Sequence, residues 1–305
     1  MRRSPFFPYA LLAAAVLFWA GNWVFARALR FDAPPVAMAF WRWLIALVIL
    51  LPMALPHLRA QWRIIVGSWR ILTLLALLAT ACQHVPVYIG LHDTTATNAA
   101  LLNSTTPVMI LILSRMLSGE RLVPLQALGV AVSLSGVIAI IARGDVKALA
   151  LLHLNRGDMW VLLATASWAL YTVCLRWRPA KLHPLAMLWM VAAIGVAAML
   201  PLYLWEIATG NVLNPTLAAV TGIVYMGAFA TVVSYVFWNR AVQQVGPNRA
   251  GPFMYLMLVY TPLLAILILD ERLYVYHFVG CALILGGIYL SAVARPPAPR
   301  QSDRA

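Results

Sequence analysis

Apolar runs of about 20 residues recur along the whole chain and are separated by short polar connectors. A helix rises about 1.5 Å per residue, so such a run can cross the roughly 30 Å hydrocarbon layer of a bilayer. A soluble domain has about 25% charged residues, whereas this chain has 10% charged and 63% hydrophobic residues. The pattern therefore predicts an all-α integral membrane protein. The alternating segments that a transmembrane β-barrel requires are absent from the sequence.

The runs predict ten transmembrane helices, each placed to within a few residues. Their expected positions are about 9–28, 35–56, 70–91, 95–117, 123–142, 157–176, 184–207, 216–240, 247–269 and 273–294. No connector between them is long enough for a soluble domain. The net charge of +13 lies mainly in these connectors, which argues against a nucleic acid partner.

Two stretches of the chain, 113–136 and 264–287, resemble each other. Each contains an apolar run, then Glu-Arg-Leu beginning at Glu120 or Glu271, then a second apolar run, at an offset of 151 residues. An offset of 149 pairs earlier residues. The ordered matches predict a 5+5 inverted repeat of homologous halves. The expected divisions are 1–143 for the first five spans, 144–156 for a linker, 157–294 for the second five, and 295–305 for a disordered cytoplasmic tail.

The Lys and Arg residues predict the orientation of the chain. With the N-terminus in the cytoplasm, about fifteen basic residues lie on the inner side and about six on the outer side, as the positive-inside rule requires. Five spans per half is an odd number, so the second half is inverted and both termini are cytoplasmic. Inverted repeats are typical of secondary transporters, which bind substrate near the midplane between the halves, although channels and some membrane enzymes have them too.

The chain resembles the EamA-type branch of the drug/metabolite transporter superfamily over about residues 9–294. The resemblance lies in Gly-Glu-Arg-Leu at 119–122, in Arg42, and in the segment 245–250 before the ninth span, while Asp270 replaces the glycine of the second Glu-Arg-Leu. It implies a bacterial inner-membrane exporter of amino acids or related metabolites, with a central cavity between two four-helix halves. The aromatic-rich first and sixth spans are most similar to exporters of aromatic amino acids.

Polar and aromatic residues near the middle of the spans are the predicted substrate-binding residues, because residues three or four apart share a helix face. The set is Trp19, Asn22, Trp23, Arg42, His84, Tyr88, Asn98, Asn103, Trp168, Tyr171, Tyr235 and Trp238. The repeat places Trp19 and Trp168 at equivalent depths. We expect these two side chains to contact the apolar part of a substrate. The polar end is expected at Asn22, His84, Tyr88, Asn98 and Tyr171. Ordinary helix packing by the same residues is the alternative.

Two ionisable residues inside the spans have two interpretations each. Arg42 lies about 10 Å deep, and either snorkels to the surface or pairs with a carbonyl or a substrate carboxylate. His84 is either a neutral structural residue or a substrate contact or proton-linked switch. Elsewhere we expect Glu120 and Glu271, which lie at span ends, to cap helices or fix loops. Small residues in the fifth and tenth spans favour close packing, within the chain or between chains.

All nine acidic residues lie in connectors or at span ends. Proton- or sodium-coupled carriers usually keep a carboxylate near the midplane, so we expect facilitative transport by alternating access. The alternatives are a proton-coupled antiporter, a channel, and a nucleoside, nucleotide-sugar or organic-cation carrier of the same superfamily. A carrier of phosphate esters would need a basic cluster in the cavity, where the sequence offers only Arg42.

The sequence has neither a GxxxxGK[ST] phosphate loop nor an HExxH zinc motif. Cys82, Cys174 and Cys281 lie singly in three spans, and their spacing suits neither zinc nor a redox pair. We therefore expect no enzyme activity, metal, cofactor or disulfide. The expected partners are a small amino acid-like substrate and the lipid bilayer, with the chain a monomer or a weak homodimer.

Overall fold

The computed structural model describes residues 6–118, 124–143, 155–245 and 250–293, and within these ranges it contains helices and no strand. Eight helices are long and apolar enough to cross a membrane, and two further apolar helices are shorter. In chain order these ten are α1 Phe7–Ala28, α2 Pro35–Ala60, α3 Trp69–Asp93, α4 Ala96–Leu117, α5 Pro124–Ile141, α6 Arg156–Trp177, α7 Pro184–Ala208, α8 Leu217–Val245, α9 Phe253–Leu269 and α10 Val275–Ser291. The chain is thus all-helical with multiple spans, and the count of ten spans stays a prediction.

Several predicted features lie outside the described residues: Glu120 with its neighbours 119–123, most of the linker, the segment 246–249, and the tail. A short helix, Trp62–Gly67, lies between α2 and α3. A 3-10 turn at Gly251–Leu256 leads into α9.

Residues with hydroxyl side chains interrupt three helices near their middle. In α3, Thr80 separates Trp69–Ala79 from Ala81–Asp93, and its hydroxyl donates to the Ala76 carbonyl at 2.6 Å. In α4, the break between Asn103 and Thr106 carries three hydroxyls that donate to carbonyls three residues earlier. These bonds satisfy backbone groups that a broken helix would otherwise leave unpaired inside a membrane.

The third interruption is a π-helical segment, Ala228–Val233, in α8. The Thr231 and Ser234 hydroxyls donate to the carbonyls five residues before them, at 2.9 and 2.8 Å. A π-bulge shifts the helix face that follows it and is often found at functional sites. Here it turns Thr231 towards α2.

The helices pack in pairs that join the early and late parts of the chain. The closest packing joins α5 to α10, α2 to α7 and α3 to α6. In addition, α1 packs on α8 and α9, and α6 packs on α3 and α4. The largest buried cluster lies where these helices meet.

Glycines allow α5 and α10 to approach closely. A Cβ atom added at Gly136 would lie 2.8 Å from the Gly280 carbonyl oxygen, and one at Gly287 would lie 2.3 Å from the Gly129 carbonyl oxygen. The small residues therefore meet within a single chain, which is one of the two predicted arrangements.

Two carboxylates cap helices across the chain. Glu206, near the end of α7, accepts hydrogen bonds from the Val36 and Ala37 amides at 3.1 and 2.8 Å. Glu271 accepts from the Ala96 and Thr97 amides at 2.8 and 3.1 Å. The first amides of α2 and α4 thereby gain partners, and Glu271 has the capping role expected for it.

These contacts define two ends of the bundle. The proximal end is the one at which α1 begins. The distal end, where α1 ends, holds the ends of α3, α7 and α9 and the beginnings of α2, α4, α6 and α10, as the bonds of Glu206 and Glu271 show.

Candidate functional site

A cavity of about 200 Å³ lies between the helices near mid-depth. Nine predicted residues line it: Trp19, Asn22, Trp23, Arg42, His84, Asn103, Trp168, Tyr171 and Tyr235. They come from α1, α2, α3, α4, α6 and α8, so the cavity is formed by helices from both parts of the chain. The structure thus brings these residues together, and their contact with a substrate stays a prediction.

Arg42 is the only charged residue among those that line the cavity, and it is 5% exposed. Its Nε donates to Thr231 Oγ1 and its Nη1 donates to the Tyr88 hydroxyl, both at 2.9 Å. Both partners are neutral, and none of the described residues that line the cavity is Asp or Glu. Arg42 points into the bundle and does not snorkel to the surface. Its partners are hydroxyls instead of the predicted carbonyl, and pairing with a substrate carboxylate stays a prediction. Its positive charge is not neutralised by any residue of the cavity.

Tyr88 extends this network to α1. Its hydroxyl accepts from Arg42 and donates to Asn22 Oδ1 at 3.1 Å, and its side chain is fully buried. One cation on α2 is therefore connected to α3, α8 and α1. Thr231, which is 189 residues away from Arg42 in the sequence, belongs to the π segment of α8.

His84 and Gln83 bring polar groups from α3 to the cavity. His84 is 8% exposed, and its Nδ1 lies 3.1 Å from the Ala79 carbonyl oxygen, which fits a neutral ring that donates from Nδ1. That tautomer leaves Nδ1 unable to accept the indole N–H of Trp43, which lies 3.4 Å away. Gln83 Oε1 is buried and has no hydrogen-bond partner. It is an available acceptor in the cavity wall.

Aromatic rings form the apolar walls. The rings of Trp19 and Trp238 have centroids 5.3 Å apart, and those of Trp168 and Tyr171 are stacked with centroids 4.9 Å apart. Such contacts fix the ring planes. Two methionines, Met254 and Met257, complete the lining with flexible side chains.

Three predicted residues lie beside the cavity or away from it. Tyr88 supports Arg42 from behind, and Trp238 packs on Trp19 without lining the cavity. Asn98 lies at the distal end, where its Oδ1 is 2.9 Å from His277 Nε2. Its expected role at the polar end of a substrate therefore needs correction, because α4 carries it towards α10 and not into the cavity.

Two polar residues of the cavity, Gln83 and Thr231, are not among the predicted substrate-binding residues. The spacing of Gln83 was informative, because it lies three residues after Thr80 and four before Val87 on one helix face. Thr231 lies four residues before the predicted site residue Tyr235, a spacing typical of one helix face. Its contact with Arg42, across 189 residues of sequence, appears only in the tertiary structure.

A second, wider depression of about 450 Å³ lies at the distal end, lined by polar residues that include Arg30, His92, Asp93 and Glu206. It shares no lining residue with the cavity. Among the described residues, no group of three or more His, Cys, Asp or Glu side chains is placed to hold a metal ion.

Comparison with known proteins identifies the family to which this chain is similar. A sequence model described as the EamA-like transporter family matches residues 6–142 and 155–293. An uncharacterized transporter of Archaeoglobus fulgidus is 26% identical over 284 residues, which cover 93% of this chain and 96% of that protein. The uncharacterized transporter YetK of Bacillus subtilis is 29% identical over 206 residues, 68% of this chain and 62% of that protein.

More distant likenesses agree with these matches. A WAT1-related chloroplastic protein of Arabidopsis thaliana is 22% identical over 74% of this chain and 55% of that protein. A solved crystal structure superposes with a TM-score of 0.60 at 20% identity, covering 94% of this chain and 97% of that one. At this identity, the structural likeness establishes the fold alone.

Proposed function

The chain belongs to the EamA-like transporter family and is therefore a multi-pass membrane transporter; from this premise we propose that it carries small amino acid-like metabolites with a carboxylate and a large apolar or aromatic side chain. The observation that carries the proposal is Arg42, a buried cation in the cavity wall that no cavity carboxylate neutralises. A charge in such a place is costly unless it is paired. A substrate carboxylate would provide the pair.

Arg42 can offer a carboxylate strong hydrogen bonds. Guanidinium binds carboxylates through two parallel N–H groups, and each charge-assisted bond contributes about 1.5–3 kcal/mol. The hydroxyls of Tyr88 and Thr231 hold the guanidinium in place from two other helices. The cation is thereby preorganised, which lowers the entropic cost of binding.

Gln83 supports the amino acid class over a simple carboxylic acid. Its Oε1 is buried without a partner and faces the same cavity. A buried acceptor without a donor costs about 1–3 kcal/mol. A substrate ammonium group would remove that cost.

The size and lining of the cavity support a small substrate with a flat or apolar side chain. A volume of about 200 Å³ is below the roughly 300–1,000 Å³ typical of pockets for drug-sized ligands. Trp19 and Trp168 offer ring faces to an aromatic group. A nucleotide sugar fits this cavity poorly, since it is larger and needs more than one cation for its phosphates.

The packing supports a 5+5 inverted repeat that works by alternating access. Helix α1 packs on α8 and α9, just as α6 packs on α3 and α4. The interruption of α3 at Thr80 and that of α8 at Thr231 are 151 residues apart, which is the offset of the sequence repeat. Two similar halves around one site give two related conformations, one open to each side.

Arg42 also suggests how substrate and conformation are linked. In this structure it ties α2 to α3 and α8, and through Tyr88 to α1. A carboxylate that enters from the proximal side competes for the same N–H groups and weakens those ties. We place the chain in the bacterial inner membrane with both termini in the cytoplasm, so that the proximal side is the inner one and net flux is export. Apart from His84, the cavity offers no proton acceptor, so the substrate gradient drives this flux.

The proposal is tested by counterflow of labelled amino acids in proteoliposomes. We expect exchange of aromatic or large apolar amino acids, and weaker exchange of their carboxamide analogues. In Arg42→Gln the preference for the acid over the amide should fall by about 10- to 150-fold, which corresponds to one charge-assisted bond. Arg63→Gln, on the exposed helix at the proximal end, is the matched control and should keep the preference.

Two outcomes would contradict the proposal. If the folded wild-type protein exchanges no amino acid, the substrate class is wrong. If Arg42→Gln keeps the full preference for the acid, the carboxylate does not bind at Arg42. Trp168→Ala separately tests the aromatic wall, and should weaken exchange of aromatic substrates more than that of small ones.

A further inference from the structure

Residues 91–98 comprise the end of α3, the start of α4 and the short link between them, and are called the α3–α4 connector here. This connector is bonded to four other parts of the bundle at the distal end. Arg27 on α1 donates to the Leu91 and His92 carbonyls at 2.5 and 2.7 Å. Asn155, which caps α6, donates to the Asp93 carbonyl at 3.0 Å. Glu271 caps the start of α4, and His277 on α10 bonds Asn98. Under the alternating access proposed above, we take this bonded arrangement as the closed state of the distal end, which opens when these contacts separate.

Asp158 lies inside this closed contact. It is in the first turn of α6 and is fully buried. Its Oδ1 accepts a hydrogen bond from the Thr94 hydroxyl, whereas its Oδ2 is buried without a hydrogen-bond partner. The surrounding backbone leaves little space, because a Cβ added at Gly157 would lie 2.5 Å from the Gly90 carbonyl oxygen.

Among the described residues, few charged or titratable groups face Asp158. Arg143, at the end of α5, attracts its negative form, and Tyr276 is the facing group from α10. On α3, the Cβ of Asp93 lies against Gly157, and the side chain of Asp93 is exposed. Arg143 makes no hydrogen bond to Oδ2.

Burial distinguishes the two protonation states of this carboxyl group. An ionised carboxylate in the first turn of a helix is ordinary when water or a donor reaches both oxygens. In the ionised form of Asp158, Oδ2 would be a buried charged oxygen without a hydrogen-bond donor, which raises the free energy of that form. In the acid form, the Asp158 hydroxyl donates to Thr94 Oγ1 and Oδ2 becomes a neutral carbonyl oxygen, which costs less to bury.

We propose that Asp158 is a proton-binding site, which takes up a proton when the α3–α4 connector closes against α6 and releases it to the outer solution when the connector opens. On closing, the carboxylate takes the proton from water of the outer solution and an O–H bond forms; on opening, that bond breaks, the proton returns to the same water, and the carboxylate remains hydrated. This inference rests on the alternating access and the orientation proposed above. Asp158 would thus link a proton to transport although it lies outside the cavity. The described residues that line the cavity itself include no carboxylate.

Thermodynamic linkage gives the consequence. If closing at the distal end takes up one proton, protons favour the closed state, and each pH unit changes that equilibrium by up to tenfold. The outward-opening step of exchange should therefore depend on the outer pH.

The first experiment measures exchange in proteoliposomes between about pH 5 and about pH 9 outside, with the inner pH fixed. We expect wild-type exchange to vary by several-fold up to about tenfold per pH unit over part of this range. Asp158→Asn, which cannot ionise, should keep exchange and lose the pH dependence. Asp93→Asn, which makes the same change at the exposed neighbouring acid, should keep the wild-type profile.

The second experiment does not depend on transport. Infrared difference spectra between acid and alkaline pH should show the carbonyl band of a buried protonated carboxylic acid, in wild type and Asp93→Asn but not in Asp158→Asn. Absence of that band in the wild type overturns the proton site whether or not exchange is seen. An Asp158→Asn profile that matches the wild type also overturns it. Exchange without any pH dependence would refute this inference and leave the proposed carrier function intact.

Discussion

The cap that Glu206 provides for α2 predicts a measurable loss of stability in Glu206→Gln. Glu206 is 6% exposed, and its two oxygens accept from the Val36 and Ala37 amides. Glutamine keeps one acceptor oxygen, so one charge-assisted bond is lost, which is about 1.5–3 kcal/mol. The lost interaction with the positive end of the helix adds about 0.3–1 kcal/mol.

Removal of a buried charge returns part of this energy, because the carboxylate no longer has to be kept away from water. We therefore expect Glu206→Gln to lower the free energy of unfolding by about 2 kcal/mol. Glu206→Ala should cost more, because both amides then lack a partner. The assay is unfolding in mixed micelles as the fraction of denaturing detergent rises.

The control is Asp32→Asn, which makes the same chemical change in the connector that precedes α2. A surface change of this kind should stay within about 0.5 kcal/mol. If Glu206→Gln costs no more than Asp32→Asn, the carboxylate does not stabilise α2 and the argument is refuted.

Two further predictions concern packing and pH. Gly287→Ala should destabilise the α5–α10 contact by about 1–3 kcal/mol, because its Cβ would lie 2.3 Å from the Gly129 carbonyl oxygen. A Cβ at Gly286 would meet no atom within 4 Å, so Gly286→Ala should be near neutral. Equal thermal shifts for the two variants would contradict this. His183 stacks on His57 with ring centroids 3.6 Å apart, and partial burial, together with His57, lowers the pKa of His183 below its ordinary 6.5. The unfolded chain then binds the proton more tightly, so stability should fall as the pH drops below about 6.5, and His57→Phe should reduce that fall in thermal melts.

Much of the fold could be predicted from the sequence. Runs of apolar residues long enough to cross a bilayer are a property of the chain itself, and the helices of the structure begin and end within a few residues of most predicted spans. Helices α8 and α9 are the exceptions, since α8 continues to Val245 and contains the π segment, and α9 begins only at Phe253. The polar C-terminal turns of α8 lack the apolar signal on which the prediction depended.

The candidate site could be predicted in part. The unusual position of Arg42 was visible in the sequence, because a cation inside an apolar run is rare. The sequence left open whether it snorkels or points inward, and the tertiary structure decided this by placing Thr231 and Tyr88 beside it. Asn98 shows the opposite case, since a polar residue at suitable depth proved to face α10.

The sequence by itself determined that this chain crosses the membrane repeatedly and which residues carry its rare interior charge, because burial in lipid depends on local hydrophobicity. Only the tertiary structure decided which polar residues share a cavity, that Gln83 lacks a partner there, and that Asp158 is enclosed at the distal end. These facts depend on how helices far apart in the sequence are rotated and aligned against each other. Close packing and hydrogen bonds between helices set that alignment, and neither is encoded in the hydrophobic pattern of a single span.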